Sequence, residues 1–334
     1  MNHTSLPANR LEMAVVVKNN SVNDFFGGWC EKDIDLLKKY QVEAESDIPE
    51  GGVIVDWLGI KTHKKHHSWL GQPEISCVIS CLPVPDDSVH AEAVEYVALV
   101  VALERALNNR SKVQFTALEL GASYAPWATA AAVLAQRHGF ENIHCVAVEA
   151  SSGSIGNISE HIKLNDLHSR GNVNFEIIHA AVYVSNEILY FPIADTTKDN
   201  GAQVVELQSG VDYRGVNVDY ESVKGITLLQ LTAKIDKVDF LHMDLQGAEQ
   251  KLLQDKPFIN CLNQKVATLF LATQSRLIEG LALEVFSSLG WKLIRERPTT
   301  YRQNNRTTDI NGWTLRDGAQ IWLNPQFGNS YADY

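Results

Sequence analysis

The chain has 334 residues, enough for one large α/β domain with an extension or for two domains, and at 45% hydrophobic and 21% charged it has the composition of an ordinary globular protein. A formal net charge of −11 argues against a partner held through its phosphate backbone, since that affinity rests on Lys and Arg. No apolar stretch is long enough to span a bilayer.

In chain order, the first segment, "MNHTSLPANRLEMAVVVKNN", lacks a basic start followed by a long apolar core and so does not read as a secretory leader. "GGVIVDWLGI" is a short apolar run, and "KTHKKHH" (61–67) reads as a solvated basic loop in preference to an anion-binding patch. Cys77 and Cys81 in "EISCVISC" could imitate a zinc site with His63, His66 and His67, but the spacing is not that of a finger, and buried thiols fit better. The odd count of five scattered cysteines suits free thiols in a reducing cytoplasm. "HAEAVEYVALVVALERALNNR" (90–110) predicts a helix, with Val94, Val97, Ala98 and Val101 on one face.

From residue 113 apolar runs of strand length alternate with helical segments. The strands are "VQFTALEL", "IHCVAVEA", "NFEIIHAAV", "EILYFPI", "VDFLHMDL", "KVATLFLAT", "WKLIRERP" and "AQIWLNP". The helices are "PWATAAAVLAQRHG", "SIGNISEHIKLNDL", "TLLQLTAKI", "GAEQKLLQD" and "IEGLALEVFSSLG". The alternation predicts a doubly wound, mostly parallel sheet, with the late strands as an antiparallel edge. The reading divides the chain into an N-terminal mixed and helical extension, residues 1–110, covering the acceptor side, and a cofactor domain, residues 111–334.

Ligands of such sheets bind at the carboxyl ends of strands where strand order reverses. The first strand enters "LELGASYAPW", whose single Gly121 lets the backbone approach a ligand. Glu149 ends the second strand, thirty residues beyond Glu119, where a carboxylate can accept both ribose hydroxyls of an adenosine cofactor. A pyrophosphate cradle would require more glycines, so S-adenosylmethionine fits better than NAD. Its ammonium suits an acid at Glu119.

"FTALELGASYAPW", "CVAVEAS", "NISEHIKLNDL", "IIHAAVYVSNEILYFPI" and "VDFLHMDLQGAEQKLL" resemble, in order and spacing, the FkbM-type methyltransferase family. "DLQGAE" (244–249) is similar to that family's D-x-E-G-x-E segment, with Gln246 in place of Glu and Ala125 in place of a glycine. The resemblance implies a seven-stranded class I methyltransferase fold and S-adenosylmethionine-dependent O-methylation of a sugar, glycan or natural product. By this reading Glu119, Gly121, Ala122, Ser123, Tyr124, Glu149, Ala150 and Ala181 bind the cofactor. Asp244 is the first candidate for the general base, or else caps the helix after it. His90, in a group with Glu92 and Glu95, is the second candidate base or a polar helix start. Trp127, Gln246, Gln274 and Arg276 are the acceptor contacts expected. A divalent metal is open but unsupported, as is a homo-oligomer. Two rival readings stand, a nicotinamide-dependent oxidoreductase and a non-catalytic scaffold that binds the cofactor.

Overall fold

The computed structural model describes residues 27–43, 50–67, 70–87, 91–108, 112–195 and 201–328. Helix α1 (Glu31–Lys38), strands β1 (Val53–Val55), β2 (Lys61–His63) and β3 (Cys77–Val78), and helix α2 (Ala93–Asn108) come first. The chain then alternates through β4 (Gln114–Leu120), α3 (Pro126–Arg137), β5 (Asn142–Glu149), α4 (Ser152–Leu164), β6 (Val173–His179), β7 (Ala181–Val182), β8 (Ile188–Pro192), β9 (Tyr220–Ile226) and α5 (Leu228–Leu231). It closes with β10 (Phe240–Met243), α6 (Glu249–Leu252), α7 (Lys256–Lys265), β11 (Thr268–Thr273), α8 (Arg276–Ser288), β12 (Lys292–Arg297), β13 (Thr300–Tyr301), β14 (Thr314–Arg316) and β15 (Gly318–Leu323).

The main sheet has seven strands in the order β12-β15-β11-β10-β4-β5-β6. Only β15 runs antiparallel to its neighbours β11 and β12. Chain order reverses between β4 and β10, so the carboxyl ends of β4, β5 and β10 surround one crevice. This is the seven-stranded fold expected, with one correction. The antiparallel strand is not an edge: β15 inserts between β11 and β12.

Side chains alternate across the sheet because successive Cβ atoms point to opposite faces. Phe115, Ala117, Phe240, Phe270 and Ile321 join one core with α2, α3 and α4. Leu118, Leu120, Val146, Leu241 and Leu271 join the other, with α7 and α8. Helix α2 is therefore a layer of the main core. Its Arg105 is 4% exposed and donates to Thr268 Oγ1 at 3.0 Å and to the carbonyls of Asn324 and Gly328, each at 2.9 Å. Helix α1 is tied to β12 by the buried pair Asp33–Arg295, with Nε 2.6 Å from Oδ2 and Nη2 2.7 Å from Oδ1.

The basic stretch at 61–67 is not a solvated loop: Lys64, His66 and His67 are buried. His66 stacks on the Tyr124 ring at 4.4 Å and 9°. Cys77 is half-buried and Cys81 exposed, against the expectation that both are buried, and all five cysteines are free. Among the described residues no group of His, Cys, Asp or Glu is arranged to hold a metal ion. No helix there is long and apolar enough to cross a membrane.

Candidate active site

The crevice is a solvent-open cleft with about 670 Å³ of empty space. The loop leaving β4, the end of β5, Ala180 and Ala181, the β8 segment and the loop after β10 line it. Gly121 has φ +80, and a Cβ there would sit 1.9 Å from the Asp244 carbonyl oxygen. Only glycine meets both the dihedral and the close approach of β10.

Glu149 faces this cleft from the end of β5, with Oε2 accepting from the Ser123 N–H and Oε1 from the Ser151 N–H, both at 2.7 Å. A carboxylate offers about four lone-pair sites, so acceptor capacity remains for two ribose hydroxyls. Burial pushes its carboxyl pKa up, while the two backbone donors and His179 pull it down. Ser123, Ala150 and Ala181 line the same cleft. His179 is at the exposed rim, its Nε2 3.1 Å from the Ala150 carbonyl, a structural partner.

Three of the expected cofactor contacts lie elsewhere. Glu119 is 1% exposed, and its oxygens accept from the N–H groups of Trp127 (3.3 Å) and Ala128 (2.7 Å). It satisfies the first turn of α3, which has no side-chain cap of its own. Ala122 packs in the core below the sheet. Tyr124 turns toward the N-terminal segment, against His66 and His67, with the His161 Nδ1 3.0 Å from its carbonyl. Sequence alone could not show which way these side chains face.

The turn at Gly121 also tests the cofactor class. The N–H groups of Gly121 and Ala122 both donate to the Val148 carbonyl at 3.0 Å, and those of Trp127 and Ala128 are taken by Glu119. No open set of amides is left to cradle a pyrophosphate, as a dinucleotide site requires. A carboxylate for ribose and a glycine approach without a phosphate nest fit S-adenosylmethionine.

Asp244 leaves β10 at the floor of the cleft. Its Oδ1 accepts from the Gln246 and Gln274 amides, each at 3.0 Å. Burial first and Asp317 second push its carboxyl pKa up to about 7, against the pull of these donors. Gln246 holds φ 56, and its Oε1 accepts from the Tyr213 hydroxyl at 3.3 Å. Glu249, fully buried, accepts from the N–H groups of Leu245 and Gly247 and so fixes the loop carrying Asp244. The capping role thus falls to Glu249, which leaves the Asp244 carboxyl facing open space.

A second cleft, about 840 Å³, meets the first at Asp244. Glu92 and Glu95 from the start of α2, with Arg297, Arg316 and Asp317, line it. Arg316 Nε pairs with Glu92 Oε1 at 2.8 Å, and Arg297 also pairs with Glu92. Burial and Arg316 push the Arg297 pKa down to about 10. Asp317 is raised by burial and held back by Arg297 and Gln274. Asp317 could have been found from the sequence: it immediately precedes an antiparallel strand, whose first residues lie at the carboxyl edge of its parallel neighbours.

Gln274 is brought to this junction. Two other expected acceptor contacts are not. Trp127 is core, edge-on to Tyr96 at 5.0 Å and stacked on His242 at 5.4 Å. Arg276 is exposed and lies against the Tyr301 ring, outside both clefts. Trp57 and Tyr96 are likewise core. Trp313 donates its indole N–H to the Thr307 carbonyl at 3.1 Å. His90 lies outside the described residues.

Residues 116–264 match the model of the Methyltransferase FkbM domain. Among solved structures, the chain is 10% identical to the C-terminal domain of precorrin-6Y C5,15-methyltransferase from Rhodobacter capsulatus, with TM-score 0.36, over 70% of this chain and 89% of that one. It is 8% identical to the N-terminal domain of human METTL16 in complex with SAH, with TM-score 0.36, over 70% of this chain and 72% of that one. No curated protein matches the chain. The strand order, the crevice at its reversal and the family match agree: residues 116–264 are similar to a Methyltransferase FkbM domain, and the protein is an S-adenosylmethionine-dependent methyltransferase.

Proposed function

We propose that the protein methylates a hydroxyl group of a sugar, glycan or other hydroxylated natural product. The observation that carries this reading is that the cofactor cleft and the polar second cleft share one ionisable group, Asp244. S-adenosylmethionine would supply an electrophilic methyl on a sulfonium. Glu149 would hold its ribose, with Gly121, Ser123, Ala150 and Ala181 forming the walls.

The chain's own work is positioning and proton removal. An alcohol binding in the second cleft presents its hydroxyl to Asp244, and as its oxygen gains a methyl group the Asp244 carboxylate takes the proton. A carboxyl raised to about 7 is ionised in a useful fraction at neutral pH and is a stronger base than an ordinary aspartate. The Gln246 and Gln274 amides fix its orientation. The chain's net charge of −11 favours such an alcohol acceptor over a nucleic acid. The free cysteines fit a reducing compartment, the cytoplasm.

The test is transfer of tritium from [methyl-³H]S-adenosylmethionine to a panel of sugars, glycans and polyketide alcohols, with methoxy carbon signals identifying oxygen as the site. Methoxy product from the wild type and loss of it in Asp244→Asn support the reading. Methylation only at nitrogen or carbon contradicts it.

A further inference from the structure

His242 is on β10 two residues before Asp244 and is 3% exposed. Its ring lies flat against Phe270 at 4.5 Å and 9°, and near-parallel to Trp127 at 5.4 Å and 21°. Neither ring nitrogen has a hydrogen-bond partner. Burial pushes its pKa down to about 3, so the ring is neutral at any physiological pH. A phenyl ring would fill such a slot without leaving buried polar groups unsatisfied. The retained nitrogens therefore call for a partner.

Glu95, in the first turn of α2, lines the second cleft. Its Oε2 accepts from the Glu92 N–H at 3.0 Å, and its Oε1 is 3.6 Å from His242 Nε2, just beyond hydrogen-bond reach. Burial first, then Asp244, Asp87, Asp317 and Glu119, push the Glu95 carboxyl well above the usual carboxylate range, which favours its protonated form. A neutral carboxyl both donates and accepts, unlike a carboxylate.

We propose that His242 and Glu95 form a dyad beneath the second cleft, in which His242 orients the Glu95 carboxyl and Glu95 binds a second polar group of the acceptor, across from Asp244. The acceptor is thereby gripped at two points, one at the reacting hydroxyl and one beside it. His242 is a positioning residue, and Glu95 is the contact. The acceptor half of this proposal rests on the O-methylation reading.

The dyad itself is tested without any acceptor, by ¹⁵N spectra of the imidazoles in protein saturated with S-adenosylhomocysteine. The expected result is a His242 ring that stays neutral from about pH 5 to 9, with an Nε2 resonance that shifts in Glu95→Ala and an Nδ1 resonance that does not. An unchanged Nε2 resonance overturns the dyad. The contact is tested on an alcohol that the wild type methylates. Glu95→Ala should raise its KM about tenfold, the loss of one hydrogen bond, and Glu95→Gln should restore most of the affinity. His242→Phe should raise KM less, and should add nothing in the Glu95→Ala background. Affinity for S-adenosylhomocysteine should hold within about twofold in each variant, because neither residue lines the first cleft. An unchanged KM in Glu95→Ala, or a His242→Phe effect that persists in that background, overturns the proposal. A wild type inactive on every alcohol removes the acceptor contact, while the imidazole spectra still decide the dyad.

Discussion

In the proposed reaction Asp244 carries both the chemistry and its pH dependence. Its carboxyl is raised to about 7, and only the ionised form can take a proton, so kcat/KM should fall as pH drops through about 7. Gln246→Glu would place a second carboxyl where an amide now donates to Asp244 Oδ1. That addition disfavours the ionised base, so the acid limb of the pH–rate profile should move to higher pH. Gly121→Ala should abolish most affinity for S-adenosylhomocysteine in calorimetry, since its Cβ has no room beside the Asp244 carbonyl. Gly121, Glu149 and Asp244 were legible in the sequence because each stands at a strand end, and strand ends at the reversal of chain order must converge. Glu119, Tyr124 and Trp127 stand beside them in sequence, but which face a side chain takes there depends on packing. Glu119 went to the amides of α3, Trp127 to the core, and Tyr124 to the buried His66 and His67.

Among the elements, the long helix α2 and most strands of the main sheet follow from apolar periodicity alone. Among the elements that escaped that reading, two did so for clear physical reasons. Strand β9, "YESVKGI", pairs with β7 and β8 outside the main sheet and is only partly buried, so its apolar run is interrupted. Helix α7 follows α6 after three residues, and its Pro257 falls in its first turn, where proline starts a helix but reads as a break. Conversely, "TLLQLTAKI" and "GAEQKLLQD" carry helical pattern for longer than the four-residue helices α5 and α6 that form. Helix α2 matters most for function because it places Glu92 and Glu95 at the second cleft. Arg105 anchors its far end through bonds to Thr268 Oγ1 and the Asn324 carbonyl, both buried, and to the Gly328 carbonyl, part-buried. Arg105→Ala should cost about 3 kcal/mol in denaturant unfolding, the scale of breaking a buried charged group's hydrogen bonds. A loss under about 0.5 kcal/mol would show that α2 is held by its apolar face alone.

On the scale of the whole molecule, the fold brings two clefts to one carboxyl group. The sheet provides the first through the ends of β4, β5 and β10. The second needs the start of α2 and the segment just before β15, which lie about 220 residues apart in the chain (Glu95 and Asp317). That distance is why Arg297 and Arg316 drew no attention as sequence: nothing local marks them, and only the insertion of β15 between β11 and β12 brings them to the cleft beside Asp244. Which cleft holds the cofactor decides the roles of Glu149, Asp244 and Glu95 together. The most direct measurement is a crystal structure with S-adenosylhomocysteine. The predicted result is a ribose whose hydroxyls bond Glu149 and a sulfur end directed to Asp244, with the Glu95–Asp317 cleft open beyond it. An adenosine moiety seated in the Glu95–Asp317 cleft, or a sulfur directed away from Asp244, would contradict it.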